Sequence, residues 1–100
     1  MITIGRVTKP KAGVVNIRID RQTPVGNPFP VNKAHSNRDE VCDKYEEWFK
    51  AQMTNKKSPV YKEIVRIYLI AKEQDVNLQC WCAPKRCHGD TIKAFLDKHL

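Results

Sequence analysis

Residues 64–70 read IVRIYLI, and this run constrains the chain more than any other. Ile64, Val65, Ile67, Tyr68, Leu69 and Ile70 are apolar around most of a helix's circumference, interrupted by Arg66. Such a helix is expected to be deeply buried, with a sheet as the natural cover. A chain of 100 residues can build one modest core and has little surplus for a second, so a single domain over residues 1–100 is expected. No apolar run approaches the roughly 18–20 residues that span a bilayer, which argues against a membrane protein.

The elements around that helix follow from local signals. Ser58 is placed to be its N-cap, and Pro59 falls at the first helical position, where proline is tolerated. An earlier helix is announced by Ser36 and Asp39 at capping-box spacing. Val41, Tyr45, Trp48, Phe49 and Met53 then form one apolar face. ITIGRV (2–7) and VVNIRI (14–19) carry the β-branched residues of strands. VNLQCWC (76–82) alternates, with Val76, Leu78, Cys80 and Cys82 on one face and Asn77, Gln79 and Trp81 on the other. It is expected to stop at Ala83-Pro84. A last helix is expected to start near Asp90 as N-cap and to bury Ile92, Phe95 and Leu96. The order of elements predicts a small α/β fold, a short mixed sheet packed against about three helices. In such folds ligands bind beyond the carboxyl ends of strands.

One stretch at such a position is CWCAPKRCHGD (80–90), which has three of the four cysteines. Three readings compete. Cys80, Cys82, Cys87 and His88 could supply a Cys3His zinc set. The spacing disfavours it: Cys80 and Cys82 lie about 7 Å apart along a strand that rises roughly 3.3 Å per residue, and Cys87 and His88 are adjacent. No cofactor is therefore expected, with zinc as the alternative. In the second reading the turn is an anion-binding or active loop. Cys87, His88 and Asp90 are its candidate catalytic residues, and Arg86 and Gly89 would bind ligand. A helix N-terminus and neighbouring cations attract anions and lower a thiol's pKa, which would make Cys87 the most reactive thiol. His88 can exchange protons near neutral pH. In the third reading the cysteines are small core residues. That reading is preferred for Cys80 and Cys82, and a functional one for Cys87 and His88.

A second loop, TPVGNPFP (23–30), combines Gly26 and Asn27, which tolerate left-handed backbone, with flanking prolines that stiffen it. Asn27 would be presented as a fixed amide, with Arg21 just before it as a bidentate partner for phosphate or carboxylate. Phe29 is expected to anchor the loop in the core.

Together, the two loops resemble a family of small proteins, common in phages and bacteria, known as domain of unknown function number four-three-two-six. The resemblance rests on Arg21, the Gly26 to Phe29 turn, residues 36–49, Cys80 to Pro84, and Cys87 to Asp90, and covers about residues 17–97. Thr23-Pro24-Val25 departs from the Ser-Pro-Leu-like run the family suggests there. The resemblance implies a compact domain of phage or bacterial origin and supplies no activity.

The formal charge of +7, from 18 basic against 11 acidic residues, favours an anionic partner. The functional expectation is therefore a composite site of the Gly26–Phe29 and Cys87–Asp90 loops for a nucleotide-like or other anionic ligand. Hydrolysis would be an extension, with His88 as acid or base. The alternative is a non-catalytic basic protein that binds a host protein or nucleic acid. The N-terminal residues lack an apolar signal region, so a cytoplasmic location is expected, the host's if the chain is phage-encoded.

Overall fold

The β-branched segments at the two ends of the sequence meet in one sheet. In the computed structural model, which describes residues 1–30, 37–83 and 85–100, the strands are Ile2–Arg6 (β1), Val15–Arg18 (β2) and Val76–Cys80 (β3). The helices are Arg38–Met53 (α1), Pro59–Glu73 (α2) and His88–His99 (α3). The strand order is β1-β3-β2. The α/β class expected from the sequence holds. The sheet differs from the mixed one expected: both strand pairs are parallel, with Ile4 and Ile17 each opposite Leu78. The α1–α2 crossover between β2 and β3 returns the chain to its starting edge, as parallel pairing requires.

Burial follows from β3 being central. All five of its residues are buried, Asn77 and Gln79 included. Those two amides stay satisfied on the polar face of the sheet. Thr3 Oγ1 donates to Asn77 Oδ1 (2.9 Å), and Asn77 Nδ2 donates to Asn16 Oδ1 (3.0 Å). Gln79 Nε2 donates to the carbonyls of Arg6 and Val7. The apolar face carries Ile2, Ile17, Val76, Leu78 and Cys80 into a core with Tyr45, Phe49, Ile64, Ile67, Ile92 and Leu96.

Three expectations about helices change. α2 is capped as expected, with Ser58 Oγ accepting from Val60 N (3.1 Å) and Pro59 at the first helical position. It is not buried all round, however. Val60, Ile64, Ile67 and Ala71 form a buried stripe, while Val65 and Leu69 are 39% and 57% exposed. Spacings of three and four residues put only one side of a helix against its neighbours, whatever the other side carries. α3 begins at His88 rather than near Asp90. Cys87 is the N-cap, and Asp90 reaches back so that its Oδ2 accepts from Cys87 N (3.1 Å). α1 begins at Arg38 with Asn37 as N-cap, and the expected cap Ser36 lies outside the described residues. Its expected apolar face holds: Val41, Tyr45 and Phe49 are buried, with Trp48 and Met53 packed half-buried beside them.

Candidate functional site

Parallel strands end together, so the residues leaving β2 and β3 share one edge of the sheet. Asp20, Arg21 and Gln22 leave β2, and Trp81 and Cys82 leave β3. Both groups line a cavity of about 440 Å³. The start of α1 (Arg38, Val41, Cys42) and the start of α3 (Arg86, Cys87, His88) close it, with Asn27 of the glycine loop. The volume falls in the range of small-molecule sites. Arg21, Arg38 and Arg86 bring positive charge to the lining, Arg86 as an ion-pair partner of Asp39 and Asp43 on α1.

Close backbone approach builds the first loop. A Cβ on Gly26 would lie 2.4 Å from the Asp20 carbonyl oxygen and 2.5 Å from Arg21 Cα. Glycine is therefore needed for space. Left-handed backbone, the expected reason, does not apply, since Gly13 is the glycine with positive φ among the described residues. Asn27 Oδ1 accepts from Phe29 N (2.8 Å), which fixes the turn. Arg21 Nη2 donates to the Phe29 carbonyl (3.1 Å), and Phe29 packs half-buried against the core as expected. From below, Tyr45 OH donates to the Val25 carbonyl (2.7 Å). Burial drives the Tyr45 phenol far above its usual range, so it remains a donor.

The second loop is held against the first. His88 is buried, and its Nε2 lies 2.5 Å from the Ile19 carbonyl oxygen, just past β2. A carbonyl only accepts, so Nε2 carries the proton and Nδ1 keeps the lone pair. Burial lowers the His88 pKa, against the raising effect of the Ile19 hydrogen bond. Arg86 donates to Asp43 (2.8 Å) and Asp39 (3.0 Å) on α1, and these two bonds raise its pKa.

Arg21, Asn27, Arg86, Cys87 and His88 are thus brought together, while Gly26 shapes the loop from behind. Asp90 and Gly89 do not line the cavity. Asp90 is part of the α3 cap, and Gly89 faces the core, where a Cβ would meet Ile19 at 3.0 Å and Cys87 Sγ at 3.2 Å.

The thiols differ from expectation. Cys87 is 4% exposed, and its Sγ lies 3.2 Å from Cys80 Sγ. That contact and burial raise the Cys87 pKa, outweighing the lowering effect of the Gly89 backbone N–H at the start of α3. Of the pair, Cys80 is the more acidic, because the Cys87 thiol and the backbone N–H groups of Cys82 and Ala83 favour its thiolate. Burial raises Cys42 as well. Cys82 follows β3 instead of belonging to it and is the least buried of the four. Among the described residues, no group of three His, Cys, Asp or Glu side chains is placed to hold a metal ion. The Cys3His arrangement is not gathered.

Asp20 and Trp81 are among the lining residues not singled out from the sequence as site residues. Asp20 is 5% exposed. Its Oδ2 accepts from Arg18 Nη2 and from Trp81 Nε1 (3.0 Å), while its Oδ1 is buried and makes no hydrogen bond among the described residues. Burial pushes its pKa up, but the bonds from Arg18 and Trp81, the Arg18 charge and the Gln22 amide bring it below the usual value. Trp81, read as packing against the far face of the sheet, is instead 52% exposed, with the Arg18 guanidinium 6.0 Å from its ring centroid. Both residues follow strands that end at the same edge, a placement set by the parallel pairing of β2 and β3.

Fold and cavity together define a small parallel α/β protein with an arginine-lined cleft at the carboxyl ends of its strands. A family profile described as a domain of unknown function (DUF4326) matches residues 4–98, and the chain belongs to that family. No curated protein and no solved structure matches the chain. No helix among the described residues is long and apolar enough to cross a membrane.

Proposed function

We propose that this protein binds a nucleotide-like anionic ligand in the cleft between its two loops. One observation carries the reading. Arg21 and Asn27 of the first loop and Arg86, Cys87 and His88 of the second line the same cavity of about 440 Å³. Arg21 and Arg86 supply charge for a phosphate, and the Asn27 NH2 supplies a donor. The N-termini of α1 and α3 border the cavity and add to its positive potential. His88, neutral and with Nδ1 unprotonated, is suited to accept a proton from a bound water, which is the basis for a hydrolytic extension. Four free thiols fit a reducing compartment such as a bacterial cytoplasm.

Calorimetric titration with nucleoside mono-, di- and triphosphates tests the reading. Saturable one-site binding with Kd below millimolar, lost in Arg21→Ala, is expected. No binding to the wild type would overturn it. Salt-dependent retention of nucleic acid alone would then support the alternative of a basic macromolecule-binding protein.

A further inference from the structure

Trp81 directly follows β3 and lines the cavity, yet 52% of its surface is exposed. Among the described residues, Met1, Val65, Leu69 and Leu100 are also large, apolar and exposed, and none of them lines this cavity. The indole is held in place. Its Nε1 donates to Asp20 Oδ2 (3.0 Å), and that buried carboxylate also accepts from Arg18. The Arg18 guanidinium lies over the ring, 6.0 Å from its centroid. An indole has one donor and no ordinary acceptor, and here the donor is spent on Asp20. What the side chain offers to the solvent and the cavity is therefore π surface. Because the ring is already fixed, a ligand that covers it pays little to immobilise it.

We infer that Trp81 is a stacking platform for a planar heterocyclic ring, so that the ligand is a phosphate ester carrying a base, and not a sugar phosphate or an inorganic polyphosphate. This assignment rests on the anion-site reading above and adds the ligand's second end. Arg21 and Arg86 take the phosphate, and the indole in the same lining takes the ring. Every base has a π face, so stacking selects nucleotides over sugar phosphates without choosing among the bases. The other tryptophan, Trp48, packs half-buried against the core beside Tyr45 and does not line this cavity. Indole fluorescence can therefore be assigned to the site once Trp48 is replaced.

Three measurements test it. In the wild type, AMP should bind about five- to a hundredfold more tightly than ribose 5-phosphate, the contribution of one base stacked on an aromatic ring. Equal affinities would overturn the inference while leaving the anion site intact. In Trp48→Phe, where Trp81 is the remaining indole, AMP should change the emission saturably and ribose 5-phosphate should not. Emission unchanged at saturating AMP would overturn it. In Trp81→Leu, AMP should fall to the affinity of ribose 5-phosphate, whereas Trp81→Phe, which keeps an aromatic face without the N–H, should keep AMP the tighter ligand. Ribose 5-phosphate should bind both variants as it binds the wild type. A preference for AMP that survives in Trp81→Leu, or is lost equally in both variants, would overturn the inference. So would an equal loss of ribose 5-phosphate, since Trp81 would then act only by shaping the cavity. Failure of the wild type to bind AMP, ribose 5-phosphate or pyrophosphate would overturn the anion-site reading and this inference with it.

Discussion

The His88 imidazole donates through Nε2 to the Ile19 carbonyl, and this contact ties the start of α3 to the exit of β2. It joins the two loops that line the cavity, and it fixes which ring nitrogen remains basic.

A pH dependence follows. His88 has a folded pKa below its unfolded value of 6.5, because burial disfavours the imidazolium. Asp20 and Asp90 raise it and Arg21 lowers it, without reversing the net shift. Between the two pKa values the unfolded chain binds more protons than the folded one. The His88 contribution is therefore fully present above about pH 6.5 and is lost as pH falls toward the folded value. Urea midpoints measured between pH 7.5 and 5 should fall in the wild type. His88→Gln, which cannot titrate, should reduce that slope. An unchanged slope in the variant would show that His88 is not buried neutral.

Gly26→Ala is expected to cost about 1–3 kcal/mol, the usual range for overpacking. Its Cβ would lie 2.4 Å from the Asp20 carbonyl oxygen and meet the Arg21 backbone, and backbone cannot rotate away as a side-chain end can. The displaced residues are those that line the cavity, so ligand affinity should fall as well. Denaturant unfolding and calorimetry on the one variant check both effects. A variant as stable as the wild type would contradict the close approach.

Timed alkylation with mass spectrometry should label Cys82 first. It borders the cavity and is the least buried thiol, while Cys42, Cys80 and Cys87 are buried. Cys80 is acidic for a thiol, but a thiolate with 1% of its surface exposed reacts only when the fold opens. Earlier labelling of Cys80 or Cys87 would mean that the sulfur pair opens faster than the cavity admits reagent.

What could be read from the sequence divides along local and non-local lines. The α2 cap rests on Ser58 and Pro59, adjacent to the turn they start, and was legible. So was the pairing of the glycine loop with the Cys87 turn, since each joins a strand end to polar residues. The setting of Cys87 was misread. Its sequence neighbours Lys85 and Arg86 suggested an acidic thiol, yet the deciding neighbours are Cys80 and the core. Asp20 was passed over for a related reason. Its partners Arg18 and Trp81 converge only because β2 and β3 run parallel and end together, and strand direction is not written in either strand.

The composite site itself is tested most directly by mapping amide shifts in nitrogen-15 NMR spectra during titration with AMP. The expected result is one saturable set of changes at residues 20–22, 27, 81–82 and 86–88, separate in sequence and adjacent across the cavity. Changes spread over exposed lysines such as Lys56, Lys57 and Lys62, without saturation and with those residues silent, would contradict it.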